Sequence, residues 1–137
     1  MSLFKVFDVA GSALNAQQVR MNVTASNLAN AGSVSGNPDD VYKAKQPIFE
    51  TFRDSMDLQS GTAGVRISGI TESEAPLSVR YEPSHPDADA EGNVYVSNVN
   101  TVEEMVNMIS ASRSYQNNIE IINTTKDLLQ QTLSLGR

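Results

Sequence analysis

The chain has 137 residues, enough for one compact domain or for a small domain with long helical arms. Ten basic residues against sixteen acidic ones leave a formal charge of −6, which argues against a nucleic-acid or anionic-lipid surface, because both need clustered Lys and Arg. With no Cys there is neither a disulfide framework nor a thiolate metal site, and no apolar run approaches the length of a membrane span.

The spacing predicts a first helix over residues 1–31. Leu3, Phe7, Ala10, Leu14, Gln17, Met21, Thr24, Leu28 and Ala31 step by alternating fours and threes, which is a heptad seam. Between Val9 and Gly32 the only charge is Arg20, and the rest is Ala, Ser, Asn, Gln, Thr and Val, the surface of a helix packed on several sides. Gly11 and the β-branched Val19, Val23 and Thr24 lower helix propensity, so the segment needs partners to fold; a flexible polar tail is the alternative. Gly32 is a plausible C-cap.

Residues 32–101 read as a loop and a small β-rich insertion. Gly36, Asn37 and Pro38 mark a loop over Ser33 to Asp40. Short strands are then expected at Val41 to Lys45, Ile48 to Phe52, Val65 to Ile70, Leu77 to Tyr81 and Val94 to Val96, enough for a small antiparallel sheet or a pair of hairpins. Pro83 to Asn93 reads as a loop.

Residues 102–137 read as a second, longer helix, with Thr101 as N-cap and Glu104 three residues on. Met105, Met108, Ser112, Tyr115, Ile119, Ile122, Leu129 and Leu133 recur every three or four positions, apart from a gap at Lys126. At 1.5 Å per residue this helix is about 50 Å long and has to lie against another long element. Its other face carries Ser114, Asn117, Asn118, Asn123, Thr124, Gln130 and Gln131 with few charges, which suits a surface dry in an assembled state. The expected fold is therefore α+β: long N- and C-terminal helices pairing as an antiparallel coiled coil, with the small antiparallel β-rich insertion between them.

Little in the sequence suggests chemistry. His85 is the only histidine and has no nucleophile motif around it. Asp87, Asp89, Glu91 and Gly92 imitate the opening of a calcium loop, but Asn98 stands where the bidentate Glu belongs, so a turn with solvated carboxylates is the better reading. Asn22-Val23-Thr24 and Asn123-Thr124-Thr125 match the glycosylation sequon inside predicted helices and read as chance matches. No catalytic, cofactor or metal residue is assigned.

Ala25-Ser26-Asn27-Leu28-Ala29-Asn30-Ala31 resembles the signature near the N-terminus of flagellar axial proteins, the rod and hook group. Tyr42-Lys43-Ala44-Lys45-Gln46, Tyr81-Glu82-Pro83, Gly92-Asn93-Val94, Glu104-Met105-Val106-Asn107 and Ser110 to Glu120 extend the resemblance over nearly the whole chain and toward the proximal-rod subunits. Ser97 departs from the family, which often has Pro there, and Asn118 replaces the usual small residue.

The resemblance implies a structural subunit of the bacterial flagellar basal body, in the rod within the periplasmic space. It implies terminal helices that assemble into the axial tube, enclosing the export channel and transmitting torque, with other rod subunits and copies of the chain as partners. It also implies passage through the flagellar type III export apparatus without a cleaved signal peptide; Phe52 and Met56 fit the loose pattern proposed for gate recognition. No cofactor, nucleic acid, membrane insertion or small-molecule substrate is expected. Helix-pairing and interface positions are then Leu3, Phe7, Leu14, Met21, Asn27, Leu28 and Asn30 on the first helix. On the second they are Met105, Met108, Tyr115, Asn117, Ile119, Ile122, Leu129 and Leu133, with Asn27 and Asn117 on charge-poor outer faces. A monomeric two-helix binding module remains the alternative, and an enzyme built around His85 and Asp89 has the least support.

Overall fold

A computed structural model describes residues 3–53 and 63–136. Helix α1 spans Leu3–Ala29, strand β1 Val34–Ser35, β2 Lys45–Phe52, β3 Gly64–Glu72, β4 Ser78–Tyr81, β5 Asn93–Val96, and helix α2 Thr101–Leu135. The strands form two separate antiparallel sheets: a hairpin of β2 with β3, and a three-stranded sheet in the order β1-β5-β4. An α+β fold with long terminal helices and small antiparallel sheets is what the periodicities predict.

The two helices pack against each other. Asn27 meets Glu104 and Arg20 meets Asn107, so they run in opposite directions with the end of α1 level with the start of α2. At 35 residues against 27, α2 continues past the other end of α1 by roughly 12 Å. Helix α1 also carries the β2–β3 hairpin, whereas α2 packs on α1 and on no described strand. Ser12, Ala16 and Val19 of α1 share a groove with Phe52, Val65 and Ile67 of the hairpin. Ser12 Oγ donates to Val9 O at 2.8 Å and accepts from Val65 N at 3.1 Å, which fixes the start of β3 on the helix. The α1 seam positions Leu3, Phe7, Ala10, Leu14, Gln17, Met21, Thr24 and Leu28 are all buried or half-buried.

On α2 the seam differs from the expected one. Glu104, Met108, Ala111, Tyr115, Asn118, Ile122, Thr125 and Leu129 are buried or half-buried and step by fours and threes, with Asn107, Ser112 and Ser114 half-buried beside them. Met108, Tyr115, Ile122 and Leu129 belong to both the expected and the observed seam, and the expected Ser112 is half-buried as well. Met105, Ile119 and Leu133 are 49%, 38% and 72% exposed, and Glu104, Asn118 and Thr125 take the alternate positions. Both phases satisfy a three-four pattern around Met108, Tyr115, Ile122 and Leu129, and the observed one turns Glu104 onto Asn27 of α1.

The helix ends also differ. Asn100, not Thr101, caps α2: its Oδ1 accepts from Val102 N at 3.1 Å and from Glu103 N at 3.3 Å. Gly32 does not end α1 in a left-handed conformation; a tightened last turn does, through Asn30 N to Ser26 O and Asn27 O.

Within the insertion, residues 41–44 are not a strand, and β1 lies inside the expected loop, where Val34 pairs with Val96 and Ser35 with Tyr95. Val94, fully buried on the central strand, is the core of the three-stranded sheet. The β1 loop is pressed so closely on residues 87–89 that a Cβ on Gly36 would run into the Asp87 carbonyl. Gly92 turns the chain with φ +82° beneath Pro83 and Tyr81.

Candidate functional site

Two features stand out from the polar surface, and both lie at the level where α1 ends and α2 begins. The first is a buried junction. Asn27 is 1% exposed, and its carboxamide makes four hydrogen bonds. Oδ1 accepts from Lys45 N and from Tyr42 Oη, each at 2.9 Å. Nδ2 donates to Lys45 O at 2.8 Å and to Glu104 Oε2 at 3.1 Å. Two donors and two acceptors exhaust what the side chain can offer. One residue of α1 thereby holds the start of β2 and the first turn of α2. Asn107 Nδ2 donates to Glu104 Oε1 at 3.4 Å, and Arg20 Nη2 donates to Asn107 Oδ1 at 3.3 Å, so the buried carboxylate is held by carboxamides.

A second carboxamide works nearby. Asn98 Oδ1 accepts from Ala44 N at 2.8 Å, while its Nδ2 donates to Ser73 O at 3.3 Å and Ala75 O at 2.9 Å. Asn98 thus ties the chain entering β2 to the chain leaving β3, just ahead of the Asn100 cap. Tyr42, Asn98 and Asn100 went unidentified as structural residues in the sequence, where Glu104 reads only as the partner of a Thr101 cap. The run Ser97-Asn98-Val99-Asn100 ahead of a helical period was the one signal that could have found a cap.

The second feature is the outer face of α2. Val102, Met105, Val106 and Ile109 follow the i, i+3, i+4, i+7 spacing of one helix face and are 65%, 49%, 62% and 55% exposed. That face points away from the Glu104–Ala111–Asn118 side packed on α1. Farther along, Ile121, Leu128, Leu133 and Leu135 are exposed too. The residues of α2 that are fully buried are Glu104, Ala111 and Thr125, so no large apolar side chain of this helix is completely covered within the chain.

Of the other expected interface positions, Asn117 is exposed and Asn30 is half-buried, with its Nδ2 on Ser26 O at 2.8 Å. Asn27 is corrected: it belongs to the interior of the chain and not to an outer face, because its polar atoms complete the helix–insertion junction. Phe52, the last residue of β2, is partly exposed with its ring against Gly64, and Met56 lies outside the described residues. His85 Nδ1 accepts from Asp87 N at 3.1 Å, and Asp89 Oδ1 accepts from Glu91 N and Asn93 N at 2.9 and 2.8 Å. Both side chains serve their own loop. Among the described residues no group of three or more His, Asp or Glu could hold a metal ion, and no helix is long and apolar enough to cross a membrane.

Paired terminal helices, a polar junction and an uncovered apolar face make up the frame of a structural subunit, and comparison with known families gives the same class. The family model for flagella basal body rod proteins matches residues 7–36, and that for the C-terminal region of the flagellar basal body rod FlgEFG proteins matches residues 90–135. The chain is 52% identical to the flagellar basal-body rod protein FlgC of Salmonella typhimurium and 50% identical to that of Escherichia coli O6:H1, over the whole of each chain. It is 42% identical to the FlgC of Buchnera aphidicola over 99% of both chains. The chain belongs to the FlgC family of flagellar basal-body rod proteins, a structural and non-enzymatic family.

Proposed function

We propose that this rod subunit assembles through its terminal helices, which pair as an antiparallel coiled coil and form the wall of the proximal rod around the export channel. The observation that supports this reading is the inverted character of α2. Its first three turns present Val102, Met105, Val106 and Ile109 to solvent, while Glu104 is buried against α1. A contiguous apolar face of this kind on a helix is a docking surface. Other rod subunits and further copies of the chain are the partners that cover it. A chain repeated many times also repeats every charge, so the charge-poor flanks around Asn117, Asn123 and Thr124 avoid stacking like charges through the tube. Leu133 and Leu135, on the part of α2 that outruns α1, are exposed as well and offer a further apolar contact to an axial neighbour.

Export through the flagellar type III apparatus into the periplasmic space precedes this assembly, with Phe52 and Met56 as the gate-recognition pair. Replacing both Val106 and Ile109 with Lys tests the assembly step. Both positions are exposed, so the free chain keeps its helicity and melting temperature within error, while swimming is lost and secreted subunit accumulates. Normal motility of the double variant overturns the reading. Failure of secretion would point instead to the export step, which Phe52→Ala probes separately.

A further inference from the structure

We propose that Asn27 is a coupling latch: its one carboxamide makes the seating of the β insertion on α1 and the docking of α2 on α1 a single cooperative event. The inference concerns the free chain and goes beyond the assembly reading, since it holds whatever covers the outer face of α2.

The geometry divides the carboxamide between two bodies. Toward the insertion, it behaves as the peptide group of a neighbouring strand. It accepts from Lys45 N at 2.9 Å and donates to Lys45 O at 2.8 Å, with Tyr42 Oη adding a third bond at 2.9 Å. Toward α2, the remaining N–H donates to the Glu104 carboxylate at 3.1 Å. Only one orientation of the amide satisfies all four, because a flip would set its oxygen against Lys45 O and Glu104 Oε2. A partner on either side therefore fixes the amide for the other. The coupling is electronic as well as positional: a carboxylate drawing on the N–H polarises the amide and makes its oxygen a better acceptor for Lys45 N–H and Tyr42 O–H. Burial of the residue excludes the water that would otherwise replace a lost partner. Ser26 Oγ, 3.1 Å from Tyr42 Oη, and the Tyr42 ring beneath Lys45 Nζ hold the insertion side in place. Asn107 and Arg20 hold the α2 side.

Coupling between two sites is reciprocal, and this separates a latch from four independent hydrogen bonds. The experiment is amide hydrogen exchange on the full free chain, reading Lys45 N–H, the amides of residues 104–108, and Tyr95 N–H in the three-stranded sheet as control. In the native chain Lys45 N–H is protected. Glu104→Ala, made on α2, lowers its protection about tenfold, while Glu104→Gln, which keeps an acceptor oxygen, lowers it less. Tyr42→Phe, made on the insertion, lowers the protection of amides 104–108, and Tyr95 stays unchanged in all three variants. The proposal is overturned if Lys45 N–H exchanges at the unfolded rate in the native chain. It is equally overturned if each variant loosens only its own side, or if Tyr95 loses protection in step with the rest, which is ordinary global destabilisation.

Discussion

The two terminal helices share a charge-poor, Asn- and Ser-rich composition, yet the chain treats them differently. Helix α1 is packed by its own chain on two sides, by α2 and by the β2–β3 hairpin, and its Ser12 and Asn27 bond to described strands, while Phe4 and Val9 stay exposed. Among the described helices and strands α2 packs only on α1, and its large apolar side chains are partly or largely uncovered. The same lack of charge thus serves an interior in α1 and a surface awaiting neighbours in α2. Burial within the chain, and not composition, tells the two apart.

The contrast predicts that a change inside α1 costs folding while a comparable change outside α2 costs only assembly. Asn27→Asp gives the largest loss. It removes two donors and sets a carboxylate beside Glu104, so stability falls by about 3 kcal/mol or more, read as a drop in melting temperature. A variant that melts within a degree of the native chain would mean that α1 is not held from within.

Asn100→Ala sharpens the account at the start of α2. The lost cap lowers stability by about 1 kcal/mol, measured by urea unfolding, because two N–H groups of the first turn lose their acceptor. An unchanged midpoint would mean that packing of the following turns alone sets where α2 starts. Leu133→Ala is the smallest change: the side chain is 72% exposed, so the free chain shifts by less than about 0.5 kcal/mol. A larger loss would mean that the end of α2 is already packed within the free chain, which breaks the contrast.

How legible these differences are in the sequence depends on the range of the interaction. Helix existence, the α1 seam and the strands at 48–52 and 65–70 follow from local periodicity, and the turn at Asp89 from its residue types, but the pairing of β2 with β3 does not. The phase of the α2 seam does not. Met105, Ile119 and Leu133 alternate with Met108, Tyr115, Ile122 and Leu129 as regularly as Glu104, Asn118 and Thr125 do, and apolar spacing cannot distinguish a face made for the same chain from one made for a neighbour. Strand β1 is two residues long and has its partner some sixty residues later, so no local pattern announces it. Residues 41–44 read as part of a short strand, but the backbone N–H of Ala44 goes to the side chain of Asn98. Ser97 shows the same limit: its N–H donates to Ser33 O at 3.1 Å, a bond that the Pro often found there in the family cannot make.

The outer face of α2 is open to solvent in the free chain, and with no native Cys a single introduced thiol reads it directly. Val106→Cys would be treated with a maleimide in the free chain and in isolated basal bodies. Rapid labelling of the free chain and strong protection in the assembled rod are expected. Equal labelling in both states would contradict the burial of this face on assembly.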